Sequence, residues 1–352
     1  MTKAVQFILP FKVIMEPIKG VLLATFKHDP EFETLESQLC DDPINGRGMR
    51  VLRFRRDGRV DIYWQPGVRV NLETFEIGAG VGDFVETTIE PALLTISERS
   101  VECDVAFVDA QGRRVSLRVS EDAPGKRPFS LLAPVGTNVQ HPLMLFLVYM
   151  SRFDFVSRAG IVEGRIGARV LQPDAIPLPM HGRRVWLTRY ANHPITVGRI
   201  NPPMHQPVQV EMPAPGSLEI DGMTLTADAQ GRLVRLSAGM PPQQVELGFS
   251  PGIMSLSQLA DGDTIVGRWS VSIAGTPITG GRYRLARVGS RAAVELDVTE
   301  HWRPQDLPLG MTILTRLMSM FRTWPASYRW RGTVDLGAEP TLSGAWERKG
   351  KA

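Results

Sequence analysis

Two short stretches of this chain hold residue types suited to proton transfer. In the first, Asp154 stands between Phe153 and Phe155. A carboxyl group desolvated by aromatic rings keeps its proton to higher pH and can protonate an alkene or an enol. The second is His301, flanked by Glu300 and Trp302. An imidazole oriented by a carboxylate and packed on an indole suits general acid–base work. Each has a plainer reading: Asp154 as the partner of a salt bridge to Arg152 or Arg158, and His301 as a solvated strand end. Glu163 and Glu300 are further carboxylates of the same kind. Trp302, Trp324, Tyr328 and Trp330 crowd one region, and Trp269 precedes them. Such aromatics line a pocket for a flat or polyene ligand, or else they are core where a helix docks on a sheet. Fourteen methionines favour an irregular apolar cavity, because the thioether side chain is flexible.

Other chemistries find little support. His181, His193 and His205 are evenly spaced, but no Cys or acidic residue stands at ligand spacing, so no metal and no cofactor is expected. The run Gly78-Ala79-Gly80-Val81-Gly82 resembles half of a phosphate loop without its Lys-Ser/Thr ending. There is no Gly-x-Ser-x-Gly elbow. The two cysteines, Cys40 and Cys103, build no disulfide framework and read as buried thiols in a reducing, cytoplasmic setting. Forty Lys plus Arg against thirty-seven Asp plus Glu leaves a net charge of +3 without a basic stripe, which argues against a nucleic-acid partner. The apolar run from Ala4 to Leu9 is broken by Pro10 and Lys12 and reads as no secretory signal. The longest apolar run, Leu143 to Met150, is far short of the roughly 20 residues of a spanning helix. Peripheral membrane contact stays open.

The elements that must position these residues are mostly strands. Val51 to Arg55 alternates apolar and charged residues, Asp57-Gly58 supplies a hairpin turn, and Val60 to Trp64 alternates again. Cys103 to Val108 and Val115 to Val119 flank the turn Asp109-Ala110-Gln111-Gly112. That turn, with Arg113, recurs letter for letter as Asp228 to Arg232, either as chance reuse of good turn residues or as a trace of duplication. Two segments opening on Pro-Leu, 142–153 and 308–324, carry Leu, Met and Phe on a helical period and predict one apolar helix in each half. Between the halves, nine prolines fall between Pro173 and Pro215, with strands at Arg184 to Leu187 and Ile195 to Arg199. The expected division is an N-terminal β-rich domain over 1–172, a proline-rich belt over 173–215 and a C-terminal β-rich domain over 216–352. The fold class is mainly β, with two antiparallel barrel-like or sandwich-like halves, each with one late apolar helix.

Gly267-Arg268-Trp269 and Gly344-Ala345-Trp346 each place Gly two residues before Trp on a predicted strand. With two antiparallel halves and a late helix, the chain resembles the tandem lipocalin-like proteins of the carotenoid hydratase and natural-product cyclase type. It departs from them in placing Gly267 well inside the second half rather than on a first strand. The resemblance implies a greasy, metal-free cavity for terpenoid or polyketide-like ligands, and it carries over no active-site motif. The sequence therefore points to binding of a hydrophobic small molecule in a β-lined cavity, with cofactor-free isomerase, hydratase or cyclase chemistry at Asp154 or His301. The competing expectation is a non-catalytic interaction or membrane-associated protein using its apolar helices.

Overall fold

The computed structural model describes residues 3–72, 79–122, 127–135 and 139–350. The chain is mainly β, in two halves of curled sheets. The first half lays down β1 (Lys3–Leu9), β2 (Val13–Ile18), β3 (Gly20–Thr25), β4 (Phe32–Asp42), β5 (Gly46–Arg55), β6 (Val60–Trp64) and β7 (Val81–Glu86). There follow β8 (Ala92–Ile96), β9 (Ser100–Val108), β10 (Arg114–Asp122), β11 (Phe129–Ala133), β12 (Leu145–Ser157), β13 (Ile161–Ile166), β14 (Arg169–Leu171), β15 (Val185–Ala191), β16 (Ile195–Ile200) and β17 (Val208–Ala214). A ten-stranded half-barrel runs in the order β2-β16-β12-β15-β3-β4-β5-β6-β7, with β11 added on β12. All its pairs are antiparallel except β6 with β7. A five-stranded sheet, β14-β13-β10-β9-β8, covers the convex side through a buried layer of Leu22, Phe26, Leu35, Val51, Val105 and Leu117.

The second half is a nine-stranded antiparallel meander, β18 (Gly216–Ile220), β19 (Met223–Ala227), β20 (Leu233–Ala238), β21 (Val245–Ile253), β22 (Thr264–Ile273), β23 (Thr276–Val288), β24 (Arg291–Glu300), β25 (Tyr328–Asp335) and β26 (Thr341–Arg348). Strand neighbours in sequence are neighbours in space, and strands such as β24 alternate buried with more exposed residues. This is why its pattern is readable from sequence.

The halves interlock. Strand β1 pairs with β17, and Phe7, Leu9 and Phe11 enter one continuous core with the nine-stranded sheet. Phe11 stacks on Phe249 at 5.6 Å between ring centroids. The Trp346 indole donates to the carbonyls of Ile200 and Asn201, at 3.0 and 3.2 Å. The proline-rich segment supplies β15 and β16 to the half-barrel, on either side of β12.

Two helical expectations part company here. Residues 142–153 are not a helix: from Leu145 on they form the first part of the thirteen-residue strand β12. Its burial alternates too weakly to show a period of two, because both of its faces are covered, and Val148, Tyr149, Phe153 and Phe155 favour a strand. Residues 308–324 do form helix, as α1 (Leu309–Leu317) and α2 (Ser319–Thr323), separated by Met318 in extended conformation. The repeated turns are alike in three dimensions. In both, the Asp carboxylate accepts the N–H groups two and four residues on, and the Gly takes positive φ. The sheets around them differ, five-stranded in one case and nine-stranded in the other.

Candidate functional site

The concave face of the half-barrel does not close on itself. Successive strands turn one side-chain phase inward: Val21, Leu23 and Thr25 from β3, Thr34, Glu36 and Gln38 from β4, Arg50, Leu52 and Phe54 from β5. Strand β12 adds Phe146, Val148, Met150, Phe153 and Phe155, and β15 adds Leu187 and Arg189. Across the opening lie α1 and α2, contributing Met311, Leu314, Met318, Met320 and Phe321. The cavity, partly open to solvent, is about 830 Å³, within the range of roughly 300–1,000 Å³ usual for small-molecule sites. Most of its wall is aliphatic, aromatic or thioether.

A small set of charges interrupts that wall. Glu16 on β2 is buried and holds two cations, Arg50 at 3.3 Å and Arg199 in a short contact. Arg50 also donates from Nε to Gln38 at 2.7 Å. Gln38 in turn donates to Glu36 at 2.6 Å. Burial pushes the Glu36 carboxyl up from its ordinary value, opposed by the Gln38 hydrogen bond and the Arg189 and Arg50 charges. Among the described residues the Arg189 guanidinium makes one hydrogen bond, from Nη1 to the Thr25 hydroxyl at 2.9 Å. Burial pulls its guanidinium down from the usual arginine value, while the Glu36 and Glu33 charges hold it up. The wall thus offers one carboxyl group biased toward its neutral form and one cation without an ion-pair partner among the described residues.

The residues singled out from sequence lie elsewhere. Asp154 is fully buried, but it points to the convex side of β12, where Arg183 meets it at 3.0 Å. That is the salt-bridge reading with a different partner, since Arg152 reaches toward Glu98 and Arg158 lies over Trp186. Its neighbours Phe153 and Phe155 are the ones that face the cavity. His301 is half-buried just beyond β24, and the adjacent Glu300 is held by Arg268 at 2.6 Å. Glu163 is exposed on β13. Trp269, Trp302, Trp324, Tyr328 and Trp330 are all buried in the main core and line no part of this cavity. The Trp269 indole donates to the Arg282 and Asp297 carbonyls, and the Tyr328 hydroxyl donates to the Val139 carbonyl at 3.0 Å.

The Gly-x-Trp glycines do make room for rings. A Cβ on Gly344 would come within 2.4 Å of Trp330, and one on Gly267 within 2.5 Å of Tyr283. Of the glycine run, Gly78 lies outside the described residues, and Val81 and Gly82 open strand β7. His181 and His193 carry imidazoles held below the ordinary value, first by burial and then by nearby arginines. Among the described residues no group of three or more His, Cys, Asp or Glu side chains gathers as metal ligands, and no helix is long and apolar enough to cross a membrane. Comparisons with family models, with curated proteins and with solved structures find no match for this chain.

Proposed function

We propose that the chain binds an apolar small molecule in the half-barrel cavity. The observation that carries this reading is a partly open volume of about 830 Å³ with a mostly apolar wall, a short polar row and two short helices along one side. A well-packed core leaves few voids larger than a water molecule, so a space of this size has to be held open by a scaffold. The half-barrel supplies that scaffold, since nine of its ten strands contribute residues to the wall and α1 and α2 add theirs across from them. Should a proton-transfer step accompany binding, as in a cofactor-free isomerase, hydratase or cyclase, it falls to Glu36. That carboxyl faces the cavity and holds its proton above its ordinary value, whereas Asp154 and His301 do not reach the space.

The lid supports a complementary reading, peripheral contact with a membrane from which an apolar ligand would come. Leu309, Ile313 and Leu317 repeat at four-residue intervals on α1 and are exposed by 79%, 41% and 73%. Leu178, also exposed, lies beside Gly310 at the same edge. From Leu307 to Ser327 there is no acidic residue, and Arg316 and Arg322 are present. An apolar stripe bordered by cations matches the surface of an anionic bilayer.

Titration with an environment-sensitive apolar dye, in wild type and in Leu23→Trp, tests the cavity. Leu23 lies between Arg189 and Glu36 across the strands, so an indole there fills the space. Saturable one-to-one binding that weakens about tenfold or more in the variant supports the reading, given that each buried side chain contributes about 1.5–3 kcal/mol. Binding that is absent, or indifferent to the indole, overturns it.

A further inference from the structure

We propose that the cavity's ligand carries a single carboxylate, seated between Arg189 and Glu36, so that the bound molecule is an apolar monocarboxylic acid. This rests on the cavity reading above. In the register, Arg189 on β15 pairs with Leu23 on β3, and Leu23 pairs with Glu36 on β4. All three side chains face the cavity. With strands about 4.8 Å apart, the two polar residues stand about two strand spacings from each other with a leucine between them. That gap suits a carboxylate spanning from one to the other.

The charge inventory selects the head group. Of the cations on the wall, Arg50 and Arg199 are both engaged by Glu16. Arg189 offers five N–H donors, and the Thr25 hydroxyl accepts one of them. A guanidinium facing an apolar space is costly unless an anion meets it, and a carboxylate does so with two parallel hydrogen bonds. Glu36 helps rather than repels while it is protonated, because its free oxygen can donate a hydrogen bond to the incoming carboxylate. The Gln38 contact leaves that option open, since Gln38 donates to the other oxygen, Oε1. A dianionic head group fits less well. It would add a second negative charge beside Glu33, Glu36 and Asp174, all on the same wall, with no second free cation among the described residues.

The test uses one chain length with four heads: palmitate, hexadecanol, methyl palmitate and hexadecyl phosphate. Each is titrated against wild type, Arg189→Gln and Arg189→Lys. Wild type should bind palmitate about tenfold or more tighter than the alcohol and the ester, as a charge-assisted pair requires. Arg189→Gln should lose that preference while still binding hexadecanol, which also reports that the variant is folded. Arg189→Lys should keep part of it, having charge without the fork. Equal binding of palmitate and hexadecanol by wild type overturns the head-group assignment and leaves the cavity reading standing. Tighter binding of hexadecyl phosphate than of palmitate overturns the single-carboxylate choice. If none of the four binds wild type, the cavity reading fails and this inference falls with it. The wild-type comparison of heads decides the matter even if a variant does not fold.

Discussion

Arg53 and Arg189 stand in the same half-barrel but face opposite sides of it. Arg53 is on the convex side, completely buried, with its cation over the Phe32 ring at 4.0 Å. Asp61 and Asp109 meet it at 2.9 Å each, Asp83 at 3.4 Å, and it donates to the Tyr63 hydroxyl at 3.2 Å. Those partners are themselves tied down. Asp109 accepts from Arg113, and Tyr63 donates to Asp83 at 2.5 Å. Burial alone would raise the Asp109 carboxyl, yet hydrogen bonds from Arg53 and Arg113 hold it below its ordinary value. Among the described residues the Arg189 guanidinium donates to one neutral hydroxyl, and the Glu36 and Glu33 charges act on it without a direct ion pair. The contrast separates two uses of a buried cation. A saturated one staples two sheets together, and in the proposed account an unsaturated one facing a void meets the head group of a ligand.

The largest expected effect breaks the staple. Arg53→Met removes the buried cation that Asp61 and Asp109 share, leaving Asp61 only Arg55 and Asp109 only Arg113 among the described residues, and should lower stability by about 3–5 kcal/mol in urea unfolding. Affinity for palmitate in the remaining folded protein should not change. A loss of less than about 1 kcal/mol would mean that the network is not the staple described. Arg189→Gln should behave in the opposite way, with stability nearly unchanged and the head-group preference gone.

An intermediate effect sharpens the reading of the lid. Replacing Leu309 and Leu317 together with Ser should reduce partition onto anionic phosphatidylserine vesicles about tenfold or more, since two apolar side chains no longer enter the bilayer. Dye binding in the cavity should survive, because these two residues do not line it. Vesicle partition that is undiminished in the variant would remove the membrane contact from the account.

The smallest effect concerns pH. Glu36 is a carboxyl whose folded value is raised above the ordinary 4.5, so the folded state holds its proton longer than the unfolded chain does. Its contribution is therefore most favourable below that ordinary value, and stability declines as pH rises from there through the folded value. Glu36→Gln should flatten that decline in pH-dependent denaturation. The same variant should keep palmitate affinity at the alkaline end, where the wild-type carboxylate would repel the ligand. An unchanged pH profile would show that Glu36 ionises in its ordinary range.

What was legible in the sequence follows from how many faces each strand has covered. Strands of the second half bury one face, so their alternation names them directly, as in Arg291 to Glu300. The same logic misleads in the half-barrel, where one face meets the five-stranded sheet and the other meets the cavity. In β5 the alternation sends Arg53 outward, yet outward here is another layer. In β12 covering both faces erased the period altogether. The cavity residues were hidden for a related reason. Thr34, Glu36 and Gln38 form the polar phase of β4, and what they face is the cavity. One signal was present. Arg189 stands in phase with Val185 and Leu187 on a strand rich in aromatic and β-branched residues, where a cation has no reason to be unless something meets it. Sequence order also set Phe153, Asp154 and Phe155 side by side, while the strand turned the rings toward the cavity and the carboxyl away.

The measurement that bears most directly on the account is native mass spectrometry of the protein purified from its own host, followed by solvent extraction and mass analysis of what it carries. The account predicts a one-to-one adduct that Arg189→Gln loses, and an extract containing an apolar monocarboxylic acid. Protein that arrives empty and takes up none of the four palmitate-series probes would contradict it.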